Sequence, residues 1–427
     1  MGVELETIIP LTMAKLKFGL GATEELGYEL KILGAKKVLL VTDRRLREHG
    51  LVDRVKGIIE REKIALAIFD AVRCEPTDRS MLQAIRKVAG MEFDAIVALG
   101  GGSTLDTAKA VNLYSTWPAD LLEYVNAPIG KGKPVPGPLK PLVALPTTSG
   151  SGSETTTVIV MDFLDLHLKT GISHQHIRPT VALVDPLNSL SAPPTVTAGT
   201  GLDVLTHAAE SFTIKPFDVR PKPKDPSLRP PYIGANPIAD LWSEKAIEWV
   251  GKYLRRAYYN GTDVEAKSHM AMAATFAGIG FGNAGVHIPH ALAYPIAGMV
   301  KKWIPPGYDT KEPMVPHGLS VALTAAANFR FTAPSNPGRH ARIASLLGVN
   351  TAGLTEMEAA KRLPDAFIGL MRDIDAPNGL SAIGYSDADI PALVEGGLKQ
   401  QRLLVGSPRP VTKADLTRIV EESMRLW

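Results

Sequence analysis

The chain has 427 residues, enough for two domains with complete hydrophobic cores, and its 21% charged residues nearly balance at a formal net charge of +3. No long Lys/Arg run is present, which argues against a nucleic-acid partner. The single cysteine, Cys74, excludes an intrachain disulfide, and residues 1–10 (MGVELETIIP) carry no basic and apolar leader pattern, so a cytoplasmic protein is expected.

The first half alternates strand and helix signals. "KKVLLVTD" (36–43) is a short apolar strand ending at an acid, and "LVDRVKGIIEREK" (51–63) has helical spacing. "IALAIFDAV" (64–72) is a strand, and "DRSMLQAIRKVAG" (78–90) is an amphipathic helix capped by Thr77 or Asp78. "FDAIVALGGGS" (93–103) is a strand running into glycines, followed by a helix over 103–114. A further strand covers 140–148, and 156–162 and 180–186 read as later strands, a hairpin insertion and the last member of the sheet. Repeated βα units imply right-handed crossovers and a parallel sheet covered on both faces. Residues 1–190 are therefore expected to form a Rossmann-like α/β domain with a parallel sheet.

After "SLSAPPTVTAGTG" (189–201) helical periods dominate, at 202–213, 239–258, 263–280, 288–300, 317–329, 338–347, 356–374, 388–400 and 413–425. Residues 191–427 are expected to be all-α. Residues 215–237 break this pattern with seven prolines and five Lys/Arg, and read as a long loop. From Ser268 to Val300 there is no Asp, Glu, Lys or Arg, yet glycines, prolines and histidines interrupt the run. A helix buried among helices fits it better than a membrane span.

Gly100, Gly101, Gly102 and Ser103 lie between a strand and a helix. Residues without side chains let backbone N–H groups approach a pyrophosphate at a helix N-terminus. An ordinary βα turn would look the same, and the spacing is not GxGxxG. Loops at the C-terminal ends of parallel strands converge, however, so Asp43 could accept hydrogen bonds from a ribose at the same crevice. A carboxylate there favours NAD over NADP, although Arg44 and Arg45 adjoin it. "PTTSGSGSETT" (146–156) would add hydroxyls and flexible backbone.

Asp203 and His207 stand at i and i+4, on one face of a helix. His317 opens another apolar helix, and His290 lies in "HIPHALAYP" (287–295). Any one of these histidines reads equally as a hydrogen-bonded core residue. Together they are one carboxylate and three imidazoles on charge-poor helices, a donor set that suits Fe²⁺ or Zn²⁺. Tyr294 lies one turn beyond His290, where a phenol could bind substrate, pass a proton or merely pack. His287, ahead of the helix, could act from the rim.

"ALGGGSTLDTAKAV", "LPTTSGSGSE", "GLDVLTHAAES", "HALAYPIAG" and "VPHG" resemble the iron-containing (group III) alcohol dehydrogenase family over essentially the whole chain. "RPPYIGANPIADLW", "FAGIGFGNAGVHIPHALAYPI" and "AIGYSDADIPALVEG" are most similar to its hydroxyacid–oxoacid transhydrogenase branch. The resemblance implies a dehydroquinate synthase-like architecture, an α/β dinucleotide-binding domain plus an all-helical one, with the active site between them. It implies metal ligation by Asp203, His207, His290 and His317. It implies cofactor contacts from Asp43, Gly101, Gly102, Ser103, Asp106, Thr147, Thr148, Ser151 and Lys169. Many members of the family have a histidine, a proposed proton relay, where this chain has Tyr294, so Tyr294 and His287 are the candidates for that route.

The implied activity is metal-dependent hydride transfer between a hydroxyacid such as 4-hydroxybutyrate and NAD, passed on to an oxoacid such as 2-oxoglutarate. An ordinary NAD(P)-dependent alcohol or aldehyde oxidoreductase with free cofactor exchange is the alternative. A lyase or synthase on the same scaffold is the other. Small molecules are the expected partners, with no nucleic acid or membrane, and a homo-oligomer is expected. An acidic substrate needs a cation, and the basic loop 215–237 is either its source or solvated surface.

Overall fold

The computed structural model describes residues 4–166, 168–308 and 310–427. Its contacts group into two units: residues 13–192 with 261–275, and residues 1–12 with 193–260 and 276–427. A single boundary near Ser191 misses two short exchanges, the N-terminal dozen residues and 261–275.

The first unit holds β1 (Lys15–Phe18), β2 (Lys37–Val41), β3 (Ala65–Phe69), β4 (Ala95–Gly100), β5 (Leu142–Pro146), β6 (Val158–Phe163), β7 (Leu168–Ser173) and β8 (Val181–Val184). Six form one parallel sheet in the order β1-β8-β5-β4-β2-β3, and β6 and β7 form a separate antiparallel hairpin. The expected strand at 156–162 is thus half of the hairpin, and 180–186 supplies the sheet member β8. The edge strand β1 was not expected. Its four residues, KLKF, include two lysines, too few and too polar for an alternation to register. Asp43 consequently follows the second strand of the chain, not the first.

The helices of this unit are α1 (Leu26–Ile32), α2 (Arg44–Glu48), α3 (Leu51–Arg61), α4 (Asp78–Val88), α5 (Gly102–Thr116) and α6 (Leu121–Tyr124). Alternation within the strands sorts them onto two faces. Val38 and Leu40 of β2 and Val97 and Leu99 of β4 pack with Val52, Val55, Ile58 and Ile59 of α3. Leu39, Val41, Ile96 and Ala98 face the other way, against Ala84 and Val88 of α4 and Leu105, Ala108 and Val111 of α5. The chain therefore leaves β2 toward one face and β4 toward the other, which makes a topological switch point between these neighbours. Thr77, not Asp78, caps α4 with a reciprocal capping box to Ser80.

The second unit is helical. α7 (Pro194–Thr213) starts eight residues before the expected 202, because TVTAGTG has poor intrinsic propensity and is held by packing instead. Then come α8 (Pro237–Tyr259), α9 (Val264–Ala284), whose N-terminal half groups with the first unit, α10 (Ile288–Gly298) and α11 (His317–Thr332). The charge-free run 268–300 is two helices, parted at Gly285 where φ is +101°. Among the described residues no helix is long and apolar enough to cross a membrane. The expected helix 356–374 is split into Glu356–Ala360 and Leu363–Asp373, with Pro364 in the first turn of the second piece, where its missing N–H costs nothing. α7 and α11 touch at backbone distance: a Cβ on Gly318 would stand 2.1 Å from Gly199 O and 2.7 Å from the Asp203 Cβ. That contact sets His317 against Asp203.

Candidate metal centre and dinucleotide crevice

Asp203 and His207 project from α7, His290 from the first turn of α10, and His317 from the start of α11. One ligand atom from each lies within 4.8 Å of the other three. Asp203 Oδ1 is 3.5 Å from His207 Nδ1, 3.9 Å from His317 Nε2 and 4.0 Å from His290 Nε2. A tetrahedron of bonds of about 2.1 Å has edges of about 3.4 Å, so the spacing is slightly wider than a closed four-coordinate site. His207 Nδ1 and His290 Nε2 are buried and have no hydrogen-bond partner among the described residues. Two buried ring nitrogens left without partners beside a carboxylate fit a divalent cation.

Burial, and then the His290 and His317 imidazoles, push the His207 pKa well down, keeping the ring in the neutral state a ligand needs. Phe281 stacks on the His207 ring at 3.9 Å between centroids and fixes its plane.

Sequence reasoning missed Glu210. It sits two helical turns beyond Asp203 on the same buried face, a periodicity that was available to find it. Its carboxylate bonds His290 Nδ1 and accepts the His287 backbone N–H at 2.7 Å. Burial alone would raise its pKa, but the His290 ring above all holds it below the usual carboxylate range. A charged acceptor at Nδ1 leaves Nε2 unprotonated and aimed at the shared centre.

His287 is not at a rim. Its ring is fully buried, Nε2 lies 3.1 Å from Thr213 Oγ1, and burial drives its pKa down to about 4. This geometry makes it a neutral packing residue at the α7–α10 contact. Tyr294 is also buried, with its ring 6.5 Å from that of His317. Its hydroxyl accepts a hydrogen bond from Arg402 Nη2 at 3.0 Å. Arg402 was not singled out from the sequence, because it lies in a polar segment with no motif around it. The basic loop 215–237 is occupied elsewhere: Arg229 pairs with Glu6, Lys222 with Glu4, and Arg220 donates to Tyr232 O.

In the first unit Asp43, Gly101, Gly102, Ser103, Thr147, Thr148 and Ser151 follow the C-terminal ends of the neighbouring strands β2, β4 and β5. Asp43 is the N-cap of α2, accepting the Leu46 N–H at 3.1 Å, and burial raises its pKa. Gly101 caps α5 and Gly102 begins it. A Cβ on Gly101 would meet Thr148 Oγ1 at 3.2 Å, and one on Gly102 would meet Ser151 Oγ at 2.7 Å, so the two loops close on one another across side-chain-free backbone. The Thr147 N–H ties the second loop to Gly100 O at 3.1 Å. Ser103 Oγ accepts the Glu75 N–H.

Asp106 uses both oxygens inside the protein, accepting Ser153 Oγ–H at 2.7 Å and the Val160 N–H at 2.9 Å. It positions the 146–156 loop and the hairpin. Lys169, buried on β7, pairs with Glu75 and lies 3.4 Å from Asp162.

Family models for iron-containing alcohol dehydrogenases match residues 14–186, and for their C-terminal part residues 232–424. A mitochondrial hydroxyacid–oxoacid transhydrogenase of Bos taurus is 48% identical over 419 residues, covering 98% of this chain and 90% of its own. A crystal structure of a 1,3-propanediol oxidoreductase superposes with a TM-score of 0.85 at 30% identity, covering 98% of this chain and all of that one. A sulfoacetaldehyde reductase from Bifidobacterium kashiwanohense, solved in complex with NAD⁺, superposes with a TM-score of 0.80 at 25% identity, covering 97% and 98%.

The expected cytoplasmic location is corrected by the first of these, whose name places it in mitochondria. A lone cysteine and the composition of ten residues bear on redox and leader patterns, and neither specifies a compartment. Both family models match in chain order, and the parallel sheet with its helical partner unit is the fold of the matched oxidoreductases. The chain belongs to the iron-containing alcohol dehydrogenase family of oxidoreductases.

Proposed function

We propose that this oxidoreductase is a hydroxyacid–oxoacid transhydrogenase. It would oxidise a short hydroxyacid such as 4-hydroxybutyrate at a metal centre, with NAD as hydride carrier, and reduce an oxoacid such as 2-oxoglutarate in the second half-reaction. The observation that carries the reading is the convergence of Asp203, His207, His290 and His317. The name of the 48% identical relative supports the substrate class. In this reading residues 1–190 serve the dinucleotide and residues 191–427 the metal and substrate.

Three imidazole nitrogens and one carboxylate oxygen would hold Fe²⁺, with Zn²⁺ the other ion the set suits. Such an ion supplies Lewis acidity to a substrate hydroxyl. The chain's own contribution is to keep the His207 ring neutral by burial, to aim His290 through Glu210, and to exclude water around the carbinol carbon with α7 and α10. Asp43, Gly101, Gly102, Ser103, Thr147, Thr148 and Ser151 would cradle the dinucleotide, with Asp43 at the ribose disfavouring a 2′-phosphate. Asp106 and Lys169 support that cradle from behind. Tyr294, beside His317, is the proposed proton-handling or substrate-binding phenol, and His287 is a packing residue. The homo-oligomer expected from the sequence remains part of the proposal and is tested by light scattering.

The decisive assay is turnover of 4-hydroxybutyrate with 2-oxoglutarate, with and without added NAD. Product formed by the purified protein without added NAD, at full rate, supports a retained cofactor. A strict need for stoichiometric NAD makes it a dehydrogenase on the same substrates. No turnover of the hydroxyacid, with rapid oxidation of simple alcohols, overturns the substrate class.

A further inference from the structure

The metal-centred unit contains many arginines, and they differ in how their donors are used. Arg339 gives two prongs to Asp240 and one to Phe212 O. Arg342 holds Glu244 with its Nε and Nη2 edge at 2.8 and 3.2 Å, the side-on geometry that a guanidinium offers a carboxylate. Arg229 does the same with Glu6. Arg402 is the exception beside the ligand cluster. Among the described residues it forms no ion pair. Its Nη2 donates to the Tyr294 hydroxyl, and its Nε is buried with no hydrogen-bond partner. Its guanidinium carbon lies 5.9 Å from the centroid of the Tyr294 ring.

A guanidinium N–H withdrawn from water without an acceptor is costly, and a guanidinium beside a neutral phenol has no charge to answer its own. Nε, one of the two donors with which Arg342 grips its carboxylate, lacks an acceptor in Arg402, and the other, Nη2, meets only the Tyr294 hydroxyl. The phenol that receives Nη2 sits one turn beyond His290 on α10, with its ring 6.5 Å from the His317 ring. Tyr294 thus neighbours both the His317 ring and Arg402.

We propose that Arg402 is the substrate's carboxylate anchor, gripping the acid end of the substrate while the hydroxyl end lies at the His290–His317 cluster. The proposal rests on the hydroxyacid reading and deepens it. Arg402 meets Tyr294, and Tyr294 lies near His317, so the proposal puts the substrate's acid and hydroxyl groups at opposite ends of a short carbon chain. Acids whose hydroxyl adjoins the carboxylate are too short to reach both. Engaging the acid needs only a turn of the guanidinium off the Tyr294 hydroxyl, which then becomes a second donor to the same carboxylate.

The test compares kcat/KM for 4-hydroxybutyrate, 2-hydroxybutyrate and butan-1-ol in the wild-type enzyme, Arg402→Gln and Arg402→Lys. The readout is the ratio of 4-hydroxybutyrate to butan-1-ol, in which any loss of general integrity cancels. In the wild type this ratio should be about ten- to a hundredfold, with 2-hydroxybutyrate no better than butan-1-ol. In Arg402→Gln it should collapse to within about threefold, driven by a rise in KM for the acid. Arg402→Lys keeps the charge but loses the fork and should fall between the two; it carries the test if the glutamine variant does not fold.

A high wild-type ratio that survives in both variants overturns the role of Arg402 and leaves the hydroxyacid reading standing. A wild-type ratio near one overturns the hydroxyacid reading itself and the anchor with it. Equal use of 2-hydroxybutyrate and 4-hydroxybutyrate overturns the end-to-end geometry.

Discussion

Glu210 and His290 are joined through the imidazole nitrogen that points away from Asp203: Glu210 bonds Nδ1, while Nε2 faces Asp203 Oδ1 at 4.0 Å. Eighty positions of chain separate the two residues. The pair sets the tautomer of His290 and, through the His287 N–H, the first turn of α10. Glu210→Gln keeps the size and removes the charge. Affinity for the metal should fall about 10- to 100-fold, read as metal retained against a chelator series. Retention equal to wild type would show that the ring is oriented by packing alone.

His290→Ala removes one donor of four. Ferrous or zinc ion added to the metal-stripped wild-type protein should raise its Tm, because ligand bound only to the folded state adds stability by mass action. The variant should show no such rise at the same concentrations and should lose activity. A Tm shift as large as that of the wild type would mean another residue holds the ion.

Gly318→Ala tests the helix contact that places His317. The new methyl would stand 2.1 Å from Gly199 O, a backbone atom that cannot step aside without moving α7 from α11. Overpacking of this kind costs about 1–3 kcal/mol, measurable as a lower urea midpoint, and metal content should drop with it. Unchanged stability and metal content would place the two helices farther apart in solution.

Asp43→Asn separates charge from capping. Asparagine caps a helix as well as aspartate does, so the Leu46 N–H keeps its acceptor. Burial already raises the Asp43 pKa, so a nearby 2′-phosphate is poorly screened from it, and the repulsion is worth about 1–3 kcal/mol. The ratio of kcat/KM for NADP to that for NAD should rise about tenfold or more. No change in the ratio would mean that Asp43 does not meet the ribose.

The Glu6–Arg229 pair gives a pH prediction. Arg229, joined by the backbone N–H groups of Ile8 and Thr7, holds Glu6 at about 2, below its ordinary 4.5. A depressed carboxylate contributes stability that is present above pH 4.5 and is lost as pH falls through about 2. Glu6→Gln should destabilise the protein at pH 7 by about 1–2 kcal/mol after allowance for solvent screening. The gap from wild type should narrow between pH 4.5 and 2. A gap that is constant with pH, in denaturant midpoints, would assign the loss to shape and not to charge.

Alternation and period were enough to predict the parallel α/β half and the helical half, and both are present. Val38 to Val41 and Ile96 to Leu99 are buried on both sides, so they read as strands without knowledge of their neighbours. Asp203 and His207 were legible as a pair because four residues on a helix return to the same face, a rule local to one element. The hairpin partner β7 and the edge strand β1 were not legible, since each is short and owes its strand state to pairing with a distant segment.

Local sequence therefore determined which residue types stood on which faces: the glycines after β4, the acid after β2, the imidazoles on charge-poor helices. Only the tertiary structure decided which of them meet. It brought His317 to Asp203 through a glycine–glycine helix contact and His290 through Glu210, and it buried His287, for which action from the rim had been a reading. It committed Asp106 to two internal hydrogen bonds, tied the basic loop to Glu4 and Glu6, and set Arg402 beside Tyr294 across 108 residues of chain. The physical reason is common to all of these. Hydrogen-bond direction, burial and charge pairing are properties of residues remote in sequence, and no periodicity within one element records the partner that packing will supply.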